Sequence, residues 1–220
     1  MIYKFLILTL TIVIAAVTSV SVYSPKSSPP TWPLQFEQTF TETFSYPLLG
    51  SSTTTGKFFY DYSNKRYRID RANGKWDRFC GPIYPFSNTS CTQIVVQGKR
   101  FIYYPEKKYC CYCCGSENGC GVLKPQWLEG AEFQGIETKN GVDLEKWDKK
   151  GLQHNYYYCT NDNRRIMQRI IQEPIDDQEF DVDSYVGEIK DASVFDLPDY
   201  CDQNKTCPLL STCTLSRNSR

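Results

Sequence analysis

The sequence predicts a mainly β domain: a curved antiparallel sheet, half-barrel or two-layer β meander, stapled by disulfides and carrying at most one or two short helices. Three observations predict it. Short segments of apolar–polar alternation recur along the chain. Turn-forming residues, Asn-Gly among them, separate those segments. Eleven cysteines follow an apolar leader, as in chains that fold in an oxidising lumen.

Residues 1–22 read as a signal peptide. Lys4 gives a short positive start, Phe5 to Val17 is almost unbroken apolar sequence, and Thr18, Ser19 and Ser21 offer a small-residue cleavage region. The alternative is an uncleaved type II anchor, since Phe5 to Val22 is near the minimum length for a bilayer span. The chain has no second apolar run, so contact with a membrane rests on this segment alone. The expected address is therefore secreted or endomembrane-lumenal, and the sequons at Asn88 and Asn204 agree with it as glycosylation candidates.

The Ser- and Pro-rich residues 23–33 read as a flexible lead-in. A single β-rich domain then runs over 34–201. Leu34 to Tyr46 alternates cleanly, with Phe36, Phe40 and Phe44 on one face and Thr39, Thr41 and Thr43 on the other. Thr53–Tyr62 and Arg66–Asp70 form a hairpin, and Gln93–Val96 and Arg100–Tyr104 form another. Cys110 to Gly121 reads as a cysteine-dense loop. Ala131–Thr138 and Val142–Asp148 then bracket Lys139-Asn140-Gly141. Asn155–Cys159 pairs with Arg165–Gln172, and Glu179–Tyr185 is the last strand. A helix is expected only over Tyr185–Val194. Residues 202–220 form a tail that carries Cys207 and Cys213.

Charge narrows the partners. With 25 basic and 25 acidic side chains, the chain lacks the cationic excess that a nucleic-acid partner requires.

Several segments carry a family likeness. Gly121-Val122-Leu123-Lys124-Pro125-Gln126-Trp127-Leu128-Glu129-Gly130-Ala131 resembles a G-I-L-x-P-x-W-L-x-G-A segment of an uncharacterised family of plant and protist secretory proteins. Trp32-Pro33-Leu34-Gln35-Phe36 and Leu197-Pro198-Asp199-Tyr200-Cys201 resemble that family's opening and closing segments. More distantly, Tyr60, Asp61, Asn64, Arg66 and Arg68 match a hairpin pattern of the ependymin-related proteins. That resemblance implies a lipoprotein-carrier-like fold, in which a curved sheet encloses a hydrophobic pocket.

The cysteines are Cys80, Cys91, Cys110, Cys111, Cys113, Cys114, Cys120, Cys159, Cys201, Cys207 and Cys213. In an oxidising lumen they read as four or five disulfides rather than as a zinc site or a redox dithiol. Neighbours in an extended chain point to opposite faces, so Cys110-Cys111 and Cys113-Cys114 can each tether two partners. The odd count leaves at least one thiol over, which is a candidate link to a protein partner.

Candidate ligand-pocket residues are Phe36, Phe40, Phe44, Phe59, Phe101, Tyr103, Trp127, Phe133, Trp147 and Tyr157; a filled core is the competing account. Glu179, Asp181 and Asp183 lie on one strand face, where a calcium ion would relieve their repulsion. The sole histidine, His154, and the absence of a G-x-S-x-G elbow argue against nucleophilic hydrolysis. No cofactor is expected. The expectation is a non-enzymatic binding protein for a lipid-like or other hydrophobic small molecule. The alternatives are a glycosylated, calcium-dependent adhesion protein and a carbohydrate-active enzyme using carboxylates such as Glu129 and Glu132.

Overall fold

Eleven strands form one open antiparallel sheet in the computed structural model, which describes residues 28–46, 50–151 and 153–218. The leader at 1–22, and with it the choice between cleavage and anchoring, lies outside the described residues. The strands are β1 (Gln35–Tyr46), β2 (Gly50–Asp61), β3 (Arg66–Arg71), β4 (Cys91–Val96), β5 (Lys99–Tyr104), β6 (Tyr109–Gly115), β7 (Glu132–Lys139), β8 (Val142–Lys150), β9 (His154–Thr160), β10 (Met167–Gln172) and β11 (Asp176–Phe180). One helix, α1 (Thr212–Asn218), follows.

The spatial order is β6-β5-β4-β3-β2-β1-β11-β10-β9-β8-β7. Two meanders are therefore joined where β11 returns to pair with β1. Tight hairpins make each meander local: Gln97-Gly98 and Asn140-Gly141 both take two consecutive positive φ values, the backbone that a two-residue turn between twisted strands requires.

The two edge strands, β6 and β7, are consecutive in the chain. Residues 116–131 must therefore cross from one edge of the curved sheet to the other, and they do so over its inner face. Tyr60 on β2 donates to the Leu123 carbonyl at 2.8 Å, the Trp32 N–H donates to the Pro125 carbonyl at 3.0 Å, and Leu128 is fully buried.

The pleat sorts side chains into two cores. The inner face gathers Trp32, Phe36, Phe40, Phe58, Tyr60, Tyr67, Leu128, Trp147, Tyr157 and Phe180. The outer face gathers Phe59, Ile94, Phe101 and Tyr103, covered by Phe195 and by Val194, Leu197 and Tyr200 of the C-terminal segment.

Three of the five disulfides pin that segment around the β6 edge. Cys110 bonds to Cys201 on the outer side, while its neighbour Cys111 bonds to Cys207. Cys113 holds α1 through Cys213, Cys114 closes a short loop with Cys120, and Cys80 bonds to Cys91. The opposite facing of adjacent strand residues thus sends Cys110 and Cys111 to different partners. Between these clamps the tail adds itself beside β6: the Tyr112 N–H donates to the Lys205 carbonyl and the Cys207 N–H to the Tyr112 carbonyl. Removing three long-range clamps of this kind would release the tail from an otherwise bare edge.

Four expectations are corrected. The cysteine-dense stretch is a strand over Tyr109–Gly115, because its alternating cysteines need the extended backbone to reach both sides of the sheet. Tyr185–Val194 is not a helix: Val186 bridges to Glu37, and only Ala192–Phe195 turns, as a 3-10 segment. The last strand starts earlier and ends at Phe180, where the Asp181 side chain accepts from the Asp183 N–H and caps a 3-10 turn over Val182–Ser184. Trp32, assigned to the lead-in, is buried, and its indole donates to the Tyr157 hydroxyl at 3.1 Å.

Candidate functional site: a lidded cavity on the inner face

The inner face is graded along the strands. At one end Tyr67 of β3, Tyr60 of β2 and Phe36 of β1 stand side by side, because Phe36 pairs with Tyr60 and Tyr60 with Tyr67. At the other end the same register aligns Arg71, Gly56, Phe40 and Phe180, and the next inward positions are Glu42 and Gln178. One end is thus aromatic and the other is polar. Gly56 makes room in this row: a Cβ there would lie 2.3 Å from the Phe40 ring and 2.3 Å from the Asp70 carbonyl oxygen.

Between this face and the crossing linker lies a cavity of about 450 Å³. Trp32, Phe58, Tyr60, Tyr67 and Trp127 wall its aromatic end, and Phe40, Ile69, Ile170 and Phe180 its middle. Trp127 closes the lid, edge-on to Trp32 at 5.4 Å and to Tyr157 at 5.8 Å between ring centroids. Arg71, Asp77, Gln93, Gln172, Asp176 and Gln178 wall the polar end, with Arg78, Arg100, Lys149 and Lys150 also on the lining.

The polar end is built around a buried ion cluster. Arg71 donates through Nε and Nη2 to both oxygens of Glu42, the latter bond at 2.9 Å, and its Nη2 lies 3.3 Å from Asp77. Burial works against the Arg71 charge, but Asp77 and Glu42 outweigh it and raise its pKa, so the guanidinium stays ionised. Asp176 is left on the losing side of this arrangement. Burial, then the Glu42 charge, pushes its carboxyl up to about 8, although Arg71 and Arg78 oppose the shift. It is protonated at neutral pH.

Of the ten aromatic residues singled out by the sequence, Phe40 and Trp127 line the cavity. Phe36, Phe133, Trp147 and Tyr157 pack in the core behind it, and Phe44 is buried one row beyond Glu42 on β1. Phe59, Phe101 and Tyr103 are corrected: odd–even alternation puts them in the outer core with Phe195. Sequence reasoning missed Trp32, Phe58, Tyr60 and Tyr67, and the whole charged end. One signal was present. Gln38 and Glu42 interrupt the aromatic face of β1 at the spacing of its phenylalanines, and both are fully buried.

The other candidates fall elsewhere. Cys159, the cysteine outside the five disulfides, is buried in the inner core, so a bridge to another chain through it is corrected: the sheet would have to open. Glu179 pairs with Lys139 and Arg169, while Asp181 caps its 3-10 turn. Among the described residues, the only trio of ligand atoms within 4.8 Å of one another is Cys113, Cys114 and Cys120, whose sulfurs are held in disulfides. His154 contacts Asp148 at 2.9 Å and stacks on Tyr156. Glu132 pairs with Lys150 on the exposed β7–β8 edge. Asn88 and Asn204 are both exposed.

A family model described as "Domain of unknown function (DUF8395)" matches residues 31–201. No curated protein matches the chain. Among solved structures, the chain is similar to an uncharacterized conserved protein from Thermus thermophilus, at 8% identity and a TM-score of 0.48, covering 76% of this chain and 87% of that one. It is also similar to a LolA superfamily protein from Nitrosomonas europaea, at 8% identity and a TM-score of 0.37, covering 77% and 93%. A putative outer membrane lipoprotein-sorting protein domain from Vibrio parahaemolyticus follows, at 8% identity and a TM-score of 0.32, covering 69% and 84%.

Proposed function

The chain belongs to the DUF8395 family, and we propose that it is a binding protein that carries one hydrophobic or amphipathic small molecule between its sheet and the Trp127 linker. The observation that carries this reading is the cavity itself. At about 450 Å³ it falls within the roughly 300–1,000 Å³ of small-molecule sites. Aromatic and aliphatic walls of this size are stable when filled, and apolar burial supplies affinity at about 25 cal/mol per Å². A space of this size suits a small amphiphile with a single apolar chain.

A secretory address accompanies the reading. Five disulfides are at home in an oxidising compartment, and the sequons Asn88 and Asn204 are accessible to a glycosyltransferase. The hairpin likeness to ependymin-related proteins points the same way.

Native mass spectrometry of protein secreted from a eukaryotic host, followed by organic extraction, tests the proposal. The expected result is a stoichiometric lipid-sized adduct. A bare glycosylated polypeptide that also takes up no added amphiphile would overturn it.

A further inference from the structure

We propose that the occupant is a single acyl chain ended by a carboxylate, seated with its head between Arg71 and Asp176 and its tail toward Trp32 and Trp127. This rests on the carrier reading and specifies its ligand. Among the described residues, four polar atoms on the cavity lining are buried without a hydrogen-bond partner: Arg71 Nη1, Arg100 Nε, Trp127 Nε1 and Asp176 Oδ1. Buried polar groups are almost always satisfied, so Arg71 Nη1 and Asp176 Oδ1 at the polar end mark where the head of an occupant belongs. Three of the four are N–H donors. The missing partner therefore offers oxygen acceptors.

Charge decides between an acid and a neutral head. Arg71, Arg78, Arg100, Lys149 and Lys150 line the cavity against Asp77 and Asp176, and the excess persists when Glu42, behind Arg71, is counted. A carboxylate oxygen can accept from Arg71 Nη1, the guanidinium nitrogen left over after Glu42 and Asp77 have taken Nε and Nη2. Its other oxygen can accept a hydrogen bond from the Asp176 carboxyl, whose pKa is pushed up to about 8. The grading of the inner face orients the molecule: Arg71 and Asp176 stand at the polar end, whereas Arg100, in the row of Tyr67, lies over the Tyr67 ring and adds to the positive field.

The groups facing Asp176 are Glu42 and Tyr46 from β1, Arg71 from β3, and Asp77 and Arg78 from the loop after β3. When Asp176 ionises, its donor is lost and a like charge appears beside the head. Binding of the acid should therefore weaken above pH 8, and an alcohol of the same chain should not follow.

The test measures affinities of dodecanoate, methyl dodecanoate and dodecanol at pH 7 by displacement of a fluorescent apolar probe. Dodecanoate should bind about tenfold or more tightly than the other two, as expected for one charge-assisted hydrogen bond. In Arg100→Gln the acid-to-alcohol ratio should fall. In Asp176→Asn the weakening above pH 8 should disappear. Equal binding of all three ligands would overturn the carboxylate head and leave the carrier reading standing. Failure of all three to bind would overturn the carrier reading, and the head-group assignment with it. An unchanged ratio in Arg100→Gln together with an unchanged pH profile in Asp176→Asn would move the head elsewhere.

Discussion

Glu42 on β1 and Arg71 on β3, with β2 between them, form a two-pronged ion pair whose side chains are 0% and 4% exposed. Neither charge has water to fall back on, so each depends on the other. The pair fixes the charged end of the cavity, because Gln178 also donates to Glu42 and Asp77 braces Arg71 from the following loop.

Replacing Glu42 by Gln should therefore be costly. Breaking a buried pair by removing one partner typically costs about 3–5 kcal/mol, and Asp77, still beside Arg71, should hold the loss near the lower figure. Urea unfolding at pH 7 measures it. A change below about 1 kcal/mol would mean that Asp77 alone compensates the guanidinium.

Asp176 should work against stability as pH rises. Its carboxyl titrates near 8 in the fold against about 3.9 in an unfolded chain. Between these values the native state holds a proton that the unfolded state lacks, so stability falls as pH increases through that window. Asp176→Asn removes the effect. Its melting temperature should exceed that of the parent at pH 7.5, with the advantage fading toward pH 4. An advantage that grows toward pH 4 would contradict the sign.

The two lid tryptophans should differ in cost. Trp32 is buried, edge-on to Phe36, Phe58 and Tyr60, and donates to Tyr157, so Trp32→Ala should lose about 3–5 kcal/mol. Trp127 is only half-buried, and its indole N–H has no partner among the described residues, so Trp127→Ala should lose less stability and more ligand affinity. Denaturant titration and probe binding on both variants check the ordering; the reverse order would make Trp127 a packing residue.

The cysteines can be read by chemistry. A thiol reagent should leave the native protein unlabelled and label one site, Cys159, after unfolding without reductant. Paired replacement of Cys110 and Cys201 by Ser should cost about 2–5 kcal/mol, since that bridge closes a separation of 91 residues. Peptide mapping that found Cys110 bonded to Cys111 instead would contradict the opposite-face argument.

Much of the architecture is local and could be read residue by residue. The alternation of Phe36, Phe40 and Phe44 on β1 needs only the two-residue period of a strand, and Asn140-Gly141 needs only its positive φ values. The candidate site was less legible. Period-two sorting says which residues share a face within one strand, but not which face of the next strand adjoins it. Phe59 and Phe58 differ by one position, and only the pairing of Phe58 with Gln38 sends Phe58 inward and Phe59 out.

The sequence by itself determined the strands, their turns, the disulfide chemistry and the presence of two faces, because these follow from backbone geometry and side-chain type over a few residues. Tertiary structure alone decided that β11 closes against β1, that the linker carrying Trp127 spans the inner face, and that Glu42, Arg71, Asp77 and Asp176 meet. Those four residues are spread over most of the length of the domain. What brings them together is strand register, which is set by the combined packing of eleven strands and by no segment alone.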